Sequence, residues 1–177
     1  MKILRYPADQ KLLRRVARPV RDDEFGTDEF VAFCEQLGET LVVAGGAALA
    51  ATQVAEAPGG EPWAVFVIRA SRGDNSYGVM ANPNITRRIG TCIDHEGCLS
   101  FAGASEMLSA PLGVIVEARN KMGRPFSMAL EGLNARAVAH EVDHLEGRLL
   151  IDRMSGLKRR HFLRAVLRAP AAAQLSN

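Results

Sequence analysis

The stretch Ala139–Gly147 reads AHEVDHLEG, with His140 and His144 four residues apart and Glu141 directly after the first. On an α-helix, residues i and i+4 share a face. The two imidazoles therefore converge on one point, the geometry of a two-histidine metal pair. Glu141 is displaced around the axis, where its carboxylate reaches a water beside the metal without taking a coordination position. H-E-x-x-H is the pattern in which that glutamate acts as a general base. The competing reading is a solvated helix face that carries histidines. With four histidines in the whole chain, a chance match to the motif is rare.

Working outward, a 3.6-residue period runs from Gly132 to about Glu146 and puts Leu133, Ala137, His140 and His144 on one stripe. A catalytic metal needs a third protein ligand and an open position. Downstream, the residue six past His144 is Leu150, no glutamate follows Glu146, and the only acid there is Asp152. His161 lies in a basic amphipathic stretch and is expected to face solvent. The third ligand is therefore expected upstream, where DHEGCLS (Asp94–Ser100) offers Cys98 on an extended segment; a thiolate suits Fe²⁺ or Zn²⁺. The bland alternative for Cys98 is a small buried apolar residue. His95, at an odd offset from Cys98, points to the opposite face of a strand.

The rest of the chain frames that helix. Thr27 caps a helix in TDEFVAFCEQLGETLVVAGG, whose Phe30, Phe33, Leu37 and Leu41 share a face and which Gly45 and Gly46 end. Pro62–Arg69 is a β-rich run closed by the polar loop ASRGDNSYG, and GVMANP and TCIDHEGCLS read as short extended segments. Val114–Ala118 and Pro125–Leu130 form a hairpin around Asn120–Gly123. A last helix begins near Ser155 and stops before Pro170. Strands surround one central helix without regular βαβ alternation, which predicts an α+β fold.

The chain has 177 residues, 47% hydrophobic and 24% charged, with a net charge of +2. That composition predicts one globular domain and excludes disorder and a strongly basic nucleic-acid binder; no DNA partner is expected. No apolar run has transmembrane length, and the N-terminal stretch lacks a signal-peptide core, so the expected location is the cytoplasm. Cys34, Cys92 and Cys98 are read as free thiols or metal ligands, not a disulfide framework.

Three separated motifs, in order, resemble the peptide deformylase family: GAALAATQV (Gly46–Val54), EGCLS (Glu96–Ser100) and HEVDHLEG (His140–Gly147). The start, ILRYPADQKLLRRVARPV, is similar too, and the resemblance extends to about Ser155. It implies mixed β-sheets wrapped around a central helix bearing H-E-x-x-H, with a C-terminal helix. One metallohydrolase domain is expected over residues 1–177, and beyond the resemblance the sequence itself predicts a basic helix at 155–169 and a frayed tail at 170–177. The resemblance implies one divalent ion held by Cys98, His140 and His144, usually Fe²⁺, with Zn²⁺ or Ni²⁺ as other occupants. Glu141 would be the general base, and the Gln53 side-chain amide and the Leu99 N–H the oxyanion donors. The substrate would be an N-formyl-methionyl peptide, hydrolysed to formate and a peptide with a free N-terminus. Gly46, Ala47, Ala48 and Leu49 would contact it, together with Leu133, Arg136 and Ala137 of the helix.

The chain departs from the family pattern at Ala48, Ala102, Ser105, Ala139 and Arg136. The Ala48 methyl is expected to crowd the backbone that pairs with a substrate. Arg136, four residues before His140, stands where the family is apolar and should share the face that looks into the site. Either its head snorkels to solvent or it stays in the pocket beside water, a carboxylate such as Asp94, or a polar substrate group. In the last helix, Arg160, Arg164 and Arg168 recur every four residues, with Phe162, Leu163, Val166 and Leu167 on another side. That helix reads as a surface helix packed by its apolar face or, as in some deformylases, as a docking element for ribosomal RNA. Two other functions remain open: the same metal chemistry on a different formyl or acyl amide, and a non-catalytic deformylase-like binding protein. Glu141 argues against the latter, which would have no need of a base.

Overall fold

A computed structural model describes residues 1–56, 58–71, 75–101 and 103–168. The expected tail at 170–177 and the departure at Ala102 lie outside the described residues. The first helix beyond a single short turn (α1, Gln10–Leu13) is α2, Asp28–Ala44. The Thr27 hydroxyl accepts the Phe30 N–H, and Gly45, in the left-handed region at φ 68°, ends the helix. Its buried stripe is Phe30, Phe33, Cys34, Leu37 and Leu41.

Strands β1 (Ala48–Ala50), β2 (Val65–Arg69), β3 (Tyr77–Ile89), β6 (Gly113–Arg119) and β7 (Pro125–Glu131) form one sheet in the order β1-β2-β3-β6-β7. Strands β4 (Cys92–Gly97) and β5 (Ser105–Ala110) make a separate two-stranded ribbon. Every pair in both sheets is antiparallel, and the parallel element among the described residues is the isolated Arg18–Trp63 bridge. GVMANP, expected as a short strand, belongs to the 13-residue β3, which register shifts after Ala81 and Ile85 bend so that it pairs with β2 and then with β6. Asn82 at the first shift has φ 50°, and its side-chain amide clasps the Val20 backbone N–H and C=O, both at 2.8 Å.

The sequence VFVI of β2 is buried on both faces, and strand alternation sorts it. Val65, Val67 and Leu49 join the α2 stripe in one apolar cluster. Phe66, Ile68, Ala48 and Ala50 join Ala135, Ala137, Val138 and Val142 of α3 (Gly132–Leu145) in another. The sheet thus lies between α2 and α3. A third cluster gathers Leu4, Leu13, Phe101, Leu108, Leu149–Ile151, Phe162 and Val166, and so packs α4 (Gly156–Arg168) onto the ribbon and the N-terminal segment. The result is the expected α+β arrangement, with α3 as the central helix.

Candidate metal centre and active-site cleft

Helix α3 begins directly after β7, and its ten buried residues include His140, Glu141 and His144. The ribbon delivers Cys98 one residue past the end of β4. One ligand atom each from Cys98, His140 and His144 lies within 4.8 Å of the others. The Cys98 Sγ is 3.2 Å from His144 Nε2, and His140 Nδ1 is 2.8 Å from Glu96 Oε1. That contact leaves the other nitrogen of His140 for the cluster. A thiol and two imidazoles at this spacing match a three-ligand site with an open position. His144 Nδ1, buried, has no hydrogen-bond partner among the described residues, nor does Glu141 Oε2. The donor set, with the unpartnered Glu141 Oε2 in the same cleft, fits a divalent cation.

The charged groups of the cluster act strongly on one another. Burial disfavours the imidazolium of His140, but Cys98, Glu96 and Glu141 outweigh it and raise its pKa. Burial lowers that of His144, and His140 lowers it further. Burial pushes Glu141 up to about 7. For Glu96, burial is opposed by His140 and Arg153, which together hold it at about 2. A divalent ion held by these residues would require neutral imidazoles and would favour the ionised form of Glu141.

Gln53 ends a 3₁₀ turn, Ala51–Gln53, and is 1% exposed. Its Oε1 accepts the Ala50 N–H at 2.9 Å, which turns Nε2 toward Cys98 Sγ (3.4 Å) and Ser100 Oγ (3.2 Å). Thr52 ties the same turn to α3 through the His144 carbonyl at 3.1 Å. The N-terminal segment holds both sides of the cleft: Leu4 N–H donates to Gln53 O, Tyr6 N–H to Ser100 O, and the Arg5 guanidinium to Leu99 O. Gly46 permits this closeness, since a Cβ there would stand 2.8 Å from Leu99 Cδ1.

The cleft above the cluster encloses about 620 Å³ and is lined by Gly46, Ala47, Ala48, Gln53, Leu99, Leu133, Arg136, Ala137 and Glu141, among others. Leu133 is an exposed rim residue. Leu49 is not part of the lining: it is fully buried in the α2 cluster, because strand alternation turns it away from its neighbours. Ala48 does not crowd the edge of β1, because its methyl packs in the core cluster that contains Ala137, perpendicular to the hydrogen-bonding plane. Ala139 is buried in α3, and Ser105 is exposed at the start of β5.

Arg136 neither snorkels nor meets Asp94. It is 4% exposed, and its guanidinium donates to Glu96 Oε2 at 2.8 Å, Leu108 O at 3.0 Å and Cys92 O at 3.3 Å. Asp94 remains exposed and accepts the His95 N–H at 2.7 Å. Glu96, Ser100 and Arg153 are the site residues that sequence reasoning missed. For Glu96 a signal was present, since it lies two residues before Cys98 on the same face of an extended segment; Ser100 is brought to the site by the turn that follows Cys98, which Phe101 N–H closes onto Cys98 O at 2.9 Å. Arg153 had none.

A family model described as polypeptide deformylase matches residues 1–160. The chain is 37% identical over 162 residues to a peptide deformylase of Alkalilimnicola ehrlichii, covering 92% of this chain and 86% of that one. It is 34% identical over 169 residues to a peptide deformylase of Desulfotalea psychrophila, covering 94% of each. A crystal structure of a peptide deformylase from Legionella pneumophila superposes with a TM-score of 0.82 at 31% identity, covering 96% of this chain and 98% of that one.

Proposed function

We propose that this chain, which belongs to the polypeptide deformylase family, removes the formyl group from the N-terminus of nascent polypeptides and releases formate. The observation that carries this reading is the convergence of Cys98, His140 and His144, with ligand atoms within 4.8 Å of one another, beside a buried Glu141 at the floor of an open cleft.

Cys98, His140 and His144 would hold one divalent ion, Fe²⁺ in our reading, with Zn²⁺ or Ni²⁺ as substitutes. Bound there, the ion supplies Lewis acidity and lowers the pKa of water toward neutrality. The chain's own groups do the rest. Glu141 takes the proton of the attacking water and passes it to the leaving amine. The Gln53 Nε2 and Leu99 N–H donate to the formyl oxygen as negative charge develops on it.

The edge of β1 aligns the peptide. Ala50 N–H turns away from β2 to reach Gln53, so by strand alternation the Ala48 N–H and C=O also face away from β2, toward the cleft. An extended substrate can pair there as an added strand. Its first side chain would lie against Leu133, Ala137 and the aliphatic stem of Arg136. Because protein acceptors hold the guanidinium head, that wall is apolar, which suits methionine.

No helix among the described residues is long and apolar enough to cross a membrane, and we place the protein in the cytoplasm. Exposed Arg160, Arg164 and Arg168, opposite the anchoring Phe162 and Val166, support ribosome docking through α4. The test of the main reading is formate release from formyl-Met-Ala-Ser by iron-loaded protein under anaerobic conditions. Metal-loaded protein that releases no formate would refute it.

A further inference from the structure

The β4–β5 ribbon forms a sheet of its own. No shared ladder therefore sets its position against α3. Yet the candidate centre draws one ligand, Cys98, from the end of the ribbon and two, His140 and His144, from the helix. Metal sites demand ligand placement within about 0.5 Å, so side chains must make the connection.

Two arginines make it, one on the ligand helix and one beyond its end. Arg136 stands one helical turn before His140 and reaches across to three residues of the ribbon: Glu96 Oε2 (2.8 Å), Leu108 O (3.0 Å) and Cys92, at both its O (3.3 Å) and its Sγ (3.4 Å). Arg153, in the segment between α3 and α4, grips the same carboxylate at Oε1 (2.6 Å) and Oε2 (3.3 Å), and Ser109 O at 2.5 Å. Glu96 then meets His140 Nδ1 at 2.8 Å. Both strands of the ribbon are thus joined to the ligand helix and to the segment that follows it.

The arrangement is costly unless it does something. Glu96 and Arg136 are each 4% exposed, and a buried ion pair often stabilises no more than apolar residues of the same volume. An aliphatic side chain at 136 would line the cleft without that desolvation. What it could not do is fork, because only a guanidinium donates in one plane to a carboxylate and two carbonyls at once. We propose that Arg136 and Arg153 are positioning residues: by clamping Glu96 and the ribbon backbone, they hold Cys98 in register with α3 and orient the His140 imidazole for the metal. This rests on the metal assignment made above, but not on the identity of the substrate.

The test uses the full chain with Arg136→Met, which keeps the stem that lines the cleft, and with Arg153→Met, whose side chain is 24% exposed and should not threaten folding. Metal affinity is measured by competition of Zn²⁺ or Co²⁺ against a chromogenic chelator. The visible spectrum of the Co²⁺ form reports ligand geometry, and Tm is recorded alongside. Arg136→Met should lose about tenfold in affinity, the low end for removing a ligand's own hydrogen-bond partner because Arg136 acts one contact further back through Glu96, with a changed Co²⁺ spectrum. Arg153→Met should show a smaller loss in the same direction. Arg136→Lys, which keeps the charge but not the fork, should recover affinity only in part. If Arg136→Met fails to fold, Arg153→Met decides alone. Affinity within twofold of wild type and superimposable spectra would overturn the proposal, even if Tm falls, since that is the result of a purely structural ion pair. Because none of these readouts uses a substrate, failure of the clamp and failure of the deformylase reading are distinguishable.

Discussion

Replacing Gln53 by Met separates two roles that one side chain holds together. The volume is roughly conserved, so the perturbation is the loss of one acceptor and one donor. The acceptor is Oε1, which takes the Ala50 N–H at 2.9 Å in a site where Gln53 is 1% exposed. Leaving that N–H buried and unpaired costs about 1–3 kcal/mol. For a chain of this length each kcal/mol moves Tm by roughly 2–4 °C, so a fall of roughly 2–12 °C is expected. The donor is Nε2, held toward Cys98 and Ser100 by the same contact. A preorganised donor of this kind contributes about 2.7–4 kcal/mol to the transition state, so kcat should fall by about 10²–10³. KM should barely change, because the neutral formyl carbonyl of the bound substrate carries little charge. The assay is formate release from formyl-Met-Ala-Ser, run well below the lowered Tm on protein of matched metal content. A fall in kcat of less than about fivefold, together with the expected loss of Tm, would show that Gln53 serves only to pin Ala50 and would remove it from the mechanism.

Four further outcomes are expected. Wild-type protein should hold about one metal ion per chain and Cys98→Ala should hold none tightly, as elemental analysis after dialysis will show. Glu141→Ala should keep its metal but lose at least about 10²-fold in turnover, and near-normal turnover would dismiss it as the base. Because the Arg136 head is held by Glu96, Leu108 and Cys92, formyl-Met and formyl-Leu peptides should be cleaved at least about tenfold better than formyl-Glu, a difference of about 1.4 kcal/mol; a preference for formyl-Glu would mean that the guanidinium turns to the substrate. Glu24 is held at about 2, well below its ordinary 4.5, chiefly by the Arg18 guanidinium. Its contribution to stability is therefore complete above pH 4.5 and disappears as pH falls toward about 2. Glu24→Gln should lower Tm at neutral pH, and the gap should close across that acid range; a gap independent of pH would rule out the ion pair as its cause.

The helix that carries the candidate site was legible in the sequence by itself because its information is local. A period of 3.6 puts His140 and His144 on one face with Glu141 beside it, and α3 has that form. The Thr27 cap, the α2 stripe and the β6–β7 hairpin were legible for the same reason, since caps, stripes and tight turns are written within a few residues. Cys98 needed elimination and a resemblance, because a candidate ligand 42 positions from His140 leaves no periodic mark. Tertiary structure alone decided what faces what. Leu49 and Ala48 are neighbours in sequence, yet one is sealed under α2 and the other lines the cleft, because β1 is a two-sided strand between two helices. Arg136 chose Glu96 over Asp94 because the ribbon docks with Glu96 between the helix and Arg153 while Asp94 stays in solvent. The docking angle of two elements that share no ladder is set by packing and by side chains far apart in the chain, and no local pattern encodes it.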